Sequence, residues 1–565
     1  MDAIGIIRRH WPAILLALAV GALTALPPLI AQQRMGDAYQ GIRPLVIDDQ
    51  IYYQARAHET QDGHPMLGNP YLREDKNQPA VQFWMPDMVL SYFNPAVLDV
   101  VFPFLIIILS YAILFKLTRD KLLSLAGAAL LDPGFVYSPF LRTPNPQLFV
   151  LLLLALLLLV YALERRSVVL TTFSILLGGA LFYIYPFYWT YWVVMVGLAF
   201  AYALVNWWST GERALAARLG IILGGALALG IPYFVQTYEA SKLPYYAESL
   251  ARFGTLHTHF PSGPSLTLLS LAAGAAVAWC WYKNMIPRAP AAVLAAGAAL
   301  AGAIVVNQQV VTGLNYFFTV HYATFIVFFS VFTLALCVPP LLGRHAPTRY
   351  HTAFRWLFAV VVVLVILARA GPQVLHVATP QPGDTAAQRY APVLQWLDAN
   401  THTDDVVYAD PTLSTYIPAY TRDNVYFAPY AFLSYMSDRE VEARFVGAHY
   451  LDPMFTRADI IAVQQDVFGL YYIARYQHAQ QVNKIRTLLH LAPETVEQYP
   501  DALIAQMLAS STVLRAGTFT NALGGYRVDY VAWDSAAEPQ WRVAKLAGFS
   551  KVFEANGVVI YKKTS

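Results

Sequence analysis

Two adjacent carboxylates, Asp48 and Asp49, stand where they could do acid–base chemistry. They follow a first hydrophobic segment and lie in a long polar loop, residues 32–97, that is rich in aromatic residues. A carboxylate beside lipid is costly to keep unless it is used, and it can take a proton from an attacking hydroxyl or amide group. The alternative is a structural role, because Asp is also common at a helix N-terminus.

Other polar segments of the chain carry side chains that could bind a phosphorylated or sugar-containing ligand. Cations hold phosphates, and aromatic rings stack on sugars or lipid headgroups. The candidate phosphate ligands are Arg142, Lys242, Arg252, His257 and His321. The candidate contacts to a substrate or acceptor are Arg56, Tyr52, Tyr53, Trp84 and Tyr322. Each has an ordinary alternative, since Tyr and Trp line every membrane interface and a buried histidine can simply be part of a core.

The composition is that of a membrane protein. Aliphatic, aromatic and Cys residues make up 57% of the 565 residues, and charged residues make up 13%, which is too apolar for an ordinary soluble protein. The net charge of +3 is small, so it indicates no nucleic-acid partner. Cys280 and Cys337 lie in apolar runs and indicate packing rather than a disulfide framework.

Segments of about 20 apolar residues can cross a bilayer, and the sequence predicts about eleven of them. They are residues 11–31, 98–115, 122–138, 147–163, 167–185, 187–205, 219–236, 265–282, 290–307, 320–341 and 356–372. The basic loops then share one side, which the positive-inside rule assigns to the cytoplasm together with Arg8 and Arg9. The break at Tyr185-Pro186 decides this topology, because merging its two spans would invert all later segments.

The predicted architecture is a polytopic α-helical membrane domain, residues 1–372, followed by a soluble α/β domain, residues 373–565. The first span is predicted to be an uncleaved signal anchor. In the second domain, residues 389–399 are amphipathic and predict a helix. Predicted strands are residues 406–409, 424–428, 469–473 and 526–532, and residues 552–561 predict a hairpin with Asn556-Gly557 at its turn.

Two segments resemble a known family. The run Asp49-Gln50-Ile51-Tyr52, with Arg56 a turn further on, looks like the Asp-x-x-Tyr/Phe…Arg segment of the oligosaccharyltransferase catalytic subunit. The run Pro139-Phe140-Leu141-Arg142-Thr143 is similar to the Arg-Ser/Thr segment of its second external loop. Together with the architecture, these motifs resemble the GT-C superfamily of membrane glycosyltransferases, which also includes the protein O-mannosyltransferases.

This sequence departs from the oligosaccharyltransferase pattern at the metal site. An acidic residue follows the Arg-Ser/Thr segment there and helps to hold a divalent metal, whereas Asn145 and Gln147 occupy that stretch here. Neutral amides are weak ligands for a hard cation. His257 and His259 could ligate a metal, but no second pair accompanies them. We therefore expect no cofactor, with a divalent metal possible but not favoured.

The resemblance implies inverting transfer of a sugar from a polyprenyl-phosphate carrier to a glycan, lipid or protein acceptor, with Asp49 or Asp48 as general base. It also implies the bacterial inner membrane, with a cytoplasmic N-terminus and an extracytoplasmic C-terminal domain.

Two alternatives stay open. A lipid-linked sugar flippase or transporter would be expected to show internal repeats, which are not evident, and an O-antigen polymerase or ligase would share the substrates.

Overall fold

The computed structural model describes residues 3–45, 49–66, 68–74, 76, 78–79, 84–130, 148–316, 319, 321–345 and 348–564. Its N-terminal part is mainly helical. The helices are α1 Ala3–Met35, α2 Gln50–Gln61, α3 Trp84–Tyr92, α4 Pro95–Thr118, α5 Lys121–Leu130, α6 Phe149–Arg165, α7 Val168–Ala180, α8 Pro186–Thr210, α9 Ala214–Leu229, α10 Ile231–Ser241, α11 Tyr246–Arg252, α12 Pro264–Tyr282, α13 Pro290–Val305, α14 Gln309–Thr312, α15 Tyr322–His345 and α16 Thr348–Val377.

Among the described residues, five helical stretches are long and apolar enough to cross a membrane, namely Ile7–Ala38, Pro95–Thr118, Pro186–Thr210, Pro264–Tyr282 and Thr352–Asn400. Helices α9 and α10 pass the same test as a pair bent by 44°. All eleven predicted spans overlap a helix, but α5, α6, α7 and α13 are shorter, such as α6 with 17 residues, and the apolar part of α15 is limited to Tyr322–Val338. Because 17 residues cover about 25 Å of a hydrocarbon core of about 30 Å, the number eleven stays a prediction.

The predicted break at Tyr185-Pro186 is confirmed. Helix α7 and a short 3-10 turn, Leu181–Tyr183, come before it, Tyr185 is extended, and α8 starts at Pro186. A residue before proline avoids the helical conformation, while proline itself suits the first position of a helix. Two separate helices therefore follow one another with almost no loop.

The basic segments that were predicted to share one side of the membrane do come together. Lys116 lies 2.5 Å from Glu164, and Arg355 lies 2.6 Å from Asp120, which joins the turns after α4 and α6 to the start of α16. The long first loop and the C-terminal region lie at the opposite ends of these helices. The structure thus separates two polar ends, while the cytoplasmic location of the basic end stays a prediction.

The C-terminal region combines a five-stranded sheet with short helices. The strands are β3 Val406–Tyr408, β4 Asn424–Val425, β5 Tyr530–Asp534, β6 Phe549–Ala555 and β7 Val558–Lys563, in the order β4-β3-β5-β7-β6. Strand β3 pairs in parallel with β4 and β5, whereas β7 is antiparallel to β5 and β6. The helices are α17 Pro382–Ala387, α18 Ala391–Asn400, α19 Pro411–Tyr420, α20 Asp438–Ala448, α21 Arg457–Ala462, α22 Gln464–Phe468, α23 Tyr471–Leu488, α24 Asp501–Ala516 and α25 Phe519–Ala522.

Most predicted elements of this region are confirmed. The hairpin β6–β7 turns at Asn556 and Gly557, which both have positive φ, as a tight two-residue turn requires. The strand predicted over residues 469–473 is wrong. Gly469 has a φ of 59°, and helix α23 begins at Tyr471. The aromatic and β-branched composition of that run favoured a strand. In the structure, however, the run contacts the backbone of Arg252, which lies in another part of the chain.

The first loop and the C-terminal region share one hydrophobic core. Ile51 and Tyr52 of α2 are buried in the same cluster as Leu413 and Ile417 of α19. The Val425 amide of β4 also donates a 2.9 Å hydrogen bond to the carbonyl of Tyr71, which extends the sheet edge into the loop. The core therefore crosses the boundary predicted at residues 372 and 373.

A buried carboxylate next to β4 should make this core sensitive to pH. Asp423 is fully buried, and burial together with the nearby Asp405 carboxylate raises its pKa to about 8. The unfolded value is about 4, so the folded chain holds this proton more tightly between those values, and stability falls as the pH rises through that range. We expect Asp423→Asn to raise the melting temperature near pH 8 and to change it little near pH 4.

Thermal unfolding of the purified protein at both pH values measures this effect. The control is Glu497→Gln, because that carboxylate is exposed on the same region of the chain and is not among the groups that shift the pKa of Asp423. A shift of equal size at both pH values would contradict the assignment to Asp423 ionisation.

Candidate active site

Asp49 occupies the N-cap position of α2, but its carboxylate makes no capping hydrogen bond. The side chain is half-buried. The structure therefore places Asp49 at a helix start, as the structural alternative expects, but without a side-chain capping bond. Asp48 and Arg142 lie outside the described residues, so their predicted roles are neither supported nor opposed by the geometry.

Helix α2 is held rigidly behind Asp49 by a buried ion pair. The Arg56 guanidinium donates to both carboxylate oxygens of Asp87 on α3, with Nε to Oδ1 at 3.0 Å and Nη2 to Oδ2 at 2.5 Å. Both side chains are almost completely buried, as are Tyr52 and Tyr53. These three predicted substrate contacts, Arg56, Tyr52 and Tyr53, thus lie in the supporting core.

Helix α3 connects this support to the membrane helices. Asp87 on α3 binds α2, and Trp84, one turn earlier, packs against Tyr183 with ring centroids 5.7 Å apart. Trp84 is half-buried, so part of its ring is accessible beside the end of α7. The position of Asp49 relative to the membrane helices is therefore fixed through two contacts on one short helix.

The predicted phosphate ligand His321 lies at the same end of the helices. Its Nδ1 bonds to the Tyr185 hydroxyl, and its ring is 5.3 Å from that of Phe187. The neighbouring Tyr322 is buried, and its hydroxyl lies 2.7 Å from the Thr190 hydroxyl. The structure thus brings His321 to the start of α8, while Tyr322 serves to join α15 to α8.

Tyrosines from three separate segments extend this surface. Tyr246 on α11 packs on Tyr435 of the C-terminal region with ring centroids 5.5 Å apart. Tyr316 follows strand β2, Leu314–Asn315, and lies close enough to Tyr246 to help burial raise the pKa of Tyr246. Phenol rings of this kind offer both a stacking face and a hydrogen-bonding hydroxyl, a combination suited to sugars.

Arg252 is placed differently from the sequence prediction. It is buried and donates to the carbonyls of Phe432, Ser434 and Met436, and it forms an ion pair with Asp438. With its donors used in this way, the guanidinium fastens the loop after α11 to the C-terminal region. We therefore assign Arg252 to this interface rather than to phosphate binding.

Gly469 completes the interface around Arg252. Its φ of 59° is left-handed, and a Cβ there would overlap the Arg252 carbonyl, which accepts a 2.7 Å hydrogen bond from the Leu470 amide. We expect Gly469→Ala to destabilise the protein by at least about 1–3 kcal/mol, the cost of backbone strain alone. The melting temperature measures this, with Gly383→Ala as control because nothing lies near its Cβ position. An unchanged melting temperature would contradict the close contact.

Two further predicted phosphate ligands are exposed. Lys242 lies 2.8 Å from Glu239 and 4.4 Å above the ring of Tyr238. His257 is exposed on β1, Leu256–His257, which pairs with β2, Leu314–Asn315. Neither converges on His321 through a direct contact. Within the described ranges, no group of three His, Cys, Asp or Glu side chains is placed to hold a metal ion.

Sequence reasoning missed the partners that decide these roles. Asp87 is one of many charged residues in the first loop, residues 32–97, and Asp438 lies in a different predicted domain from Arg252. Arg56 and Asp87 are 31 residues apart, and Arg252 and Asp438 are 186 apart. Each Arg also has an acidic residue at helical spacing, Glu59 for Arg56 and Glu248 for Arg252, so no local signal pointed to the distant partner.

Comparison with known proteins gives a likeness in structure but not in sequence. No family model and no curated protein sequence matches the chain. Solved structures of the Archaeoglobus fulgidus oligosaccharyltransferase are similar, with 13% identity, 82% of this chain and 71% of that chain covered and a TM-score of 0.45 for the apo form. For its complex with an inhibitory peptide and a dolichol-phosphate, these values are 11%, 99%, 89% and 0.46.

Proposed function

We propose that the chain is a membrane glycosyltransferase that moves a sugar from a lipid-phosphate carrier to an acceptor. The observation that carries this proposal is the placement of Asp49. It is a half-buried carboxylate that does not cap its helix and that is held at the membrane end by the Arg56–Asp87 pair and by α3. Rigid support of this kind is what a catalytic base requires.

In the proposed reaction, the acceptor hydroxyl or amide attacks the anomeric carbon of the donor sugar. Asp49 takes the proton of the attacking group, the new bond forms at the anomeric carbon, and the bond from that carbon to the phosphate oxygen breaks. The lipid phosphate leaves with the electron pair, and attack from the opposite face inverts the configuration. Asp48 is the second candidate for the base.

The leaving phosphate requires cationic or hydrogen-bonding partners. His321, Arg142 and Lys242 are the proposed ones, and the contact between His321 and Tyr185 supports the choice of His321. Trp84 and the tyrosines near Tyr246 are proposed to contact the sugar or the acceptor. The proposed donor is an undecaprenyl-phosphate sugar in the bacterial inner membrane, and the mechanism uses no metal.

Transfer of radiolabel from undecaprenyl-phosphate sugars to acceptors in membranes tests this function. Membranes with and without the chain are compared, each with and without EDTA. Chain-dependent transfer that persists in EDTA supports the metal-independent mechanism, and transfer that EDTA abolishes contradicts its metal independence. Chain-dependent movement of the labelled lipid across the bilayer without transfer would contradict the proposal and favour a transporter.

A further inference from the structure

Helix α23, Tyr471–Leu488, ends in an unusual group of exposed apolar side chains. Ile485, Leu488, Leu489 and Leu491 are 44%, 77%, 60% and 52% exposed, although they lie in the C-terminal region. Contiguous exposed apolar residues on a protein surface generally mark an interaction site. We name these four residues the apolar tip.

The apolar tip is held in a fixed shape. Asn483 exchanges two hydrogen bonds with the backbone of Glu494, at 2.8 and 2.7 Å, and the Arg486 guanidinium donates to the Ala492 carbonyl at 2.7 Å. The chain after α23 is thereby folded back against the helix. The exposed leucines are thus presented together rather than left on a loose segment.

The direction of α23 brings the apolar tip toward the membrane. At its start, the Leu470 amide binds the Arg252 carbonyl, and further on His478 packs against Phe260 with ring centroids 5.9 Å apart. The helix therefore runs alongside the segment from Arg252 to Phe260, which enters the candidate span Pro264–Tyr282 four residues later. Beyond His478, the helix continues for ten residues, or about 15 Å, in the same direction.

The charges next to the apolar tip fit a lipid surface. Lys484 and Arg486 flank Ile485, and Arg475 lies on the exposed part of the same helix. Basic side chains beside apolar ones are typical of helices that lie in the membrane interface, where the leucines enter the acyl boundary and the cations meet lipid phosphates.

We propose that the end of α23 is a membrane anchor of the C-terminal region, with its apolar tip inserted into the interface of the lipid leaflet on that side. The anchor adds a lipid contact to the covalent link through α16 and to the contact between the loop after α11 and the C-terminal region. It would hold the C-terminal region against the membrane at a second point.

The test places a fluorophore at the apolar tip of the full chain. Leu488→Cys carries an environment-sensitive fluorophore, and the protein is reconstituted into phosphatidylcholine vesicles with a minority of phosphatidylglycerol, with or without nitroxide-labelled lipid. We expect blue-shifted emission that the nitroxide lipid quenches several times more than emission from Val552→Cys. Val552 is an exposed residue of β6, at the edge of the sheet opposite to β4.

The wild-type chain is the labelling blank, because Cys280 and Cys337 are buried. Equal quenching at positions 488 and 552 would overturn the proposal. A second result would also overturn the proposal, namely emission at position 488 that is not quenched by the nitroxide lipid but changes with the protein-to-lipid ratio. That result would favour a contact between two copies of the chain.

Discussion

Asp49→Asn is expected to lower the rate of sugar transfer by about 10²–10⁴-fold, the contribution typical of a positioned general base. The amide has nearly the shape of the carboxylate but cannot accept the proton of the attacking group. Because the Asp49 side chain does not cap α2, the substitution should leave the melting temperature close to that of the wild type. The loss should therefore lie in the rate of transfer rather than in the amount of folded protein.

The matched control is Asp37→Asn, an exposed carboxylate at the start of the same loop, which should retain full activity. Initial rates of transfer from undecaprenyl-phosphate sugars are measured for Asp49→Asn, Asp48→Asn and Asp37→Asn at equal amounts of folded protein. Loss of activity in Asp48→Asn with full activity in Asp49→Asn would transfer the base role to Asp48. Full activity in both Asp48→Asn and Asp49→Asn would contradict the carboxylate mechanism.

Asp87→Asn is expected to lower the free energy of unfolding by about 3–5 kcal/mol, the usual cost of removing one partner of a buried ion pair. Arg56 and Asp87 are 1% and 2% exposed, so the Arg56 charge would stay buried without its counter-charge. The same change should reduce transfer, because α2 then holds Asp49 less firmly. Thermal unfolding of the purified protein and initial rates of transfer measure the two effects.

The double variant Arg56→Met with Asp87→Leu separates charge from packing. Replacing a buried ion pair by apolar residues of similar size is often nearly neutral, so this variant should regain most of the stability that Asp87→Asn loses. Arg457→Met is a control for loss of an Arg charge, because Arg457 and its partner Asp501 are both exposed. Equal destabilisation by the single and double variants would contradict the ion-pair assignment.

Local patterns in the sequence predicted the parts of the fold that depend on near neighbours. The turn at Asn556-Gly557 and the break at Tyr185-Pro186 are confirmed, because glycine, asparagine and proline restrict φ and ψ wherever they stand. The strand predicted over residues 469–473 failed for the opposite reason. A left-handed Gly469 beside the Arg252 backbone is a tertiary requirement that a five-residue window cannot contain.

The same distinction between local and tertiary information applies to the residues of the candidate site. Asp49 could be selected from the sequence, because a carboxylate close to a hydrophobic span is unusual wherever it occurs. Arg56 and Arg252 were selected for binding a ligand, and both proved to hold parts of the structure together. A guanidinium is equally suited to a phosphate and to a carboxylate, so its partner decides its role, and both partners are distant in the chain.

By itself, the sequence determined that this is an apolar helical chain followed by an α/β region, because hydropathy and turn residues act over short distances. The tertiary structure alone decided that the first loop and the C-terminal region share a core and that α3 joins Asp49 to the membrane helices. It also decided which apolar side chains at the end of α23 stay exposed. Each of these depends on contacts between residues tens to hundreds of positions apart, whose pairing is set by packing of the whole chain.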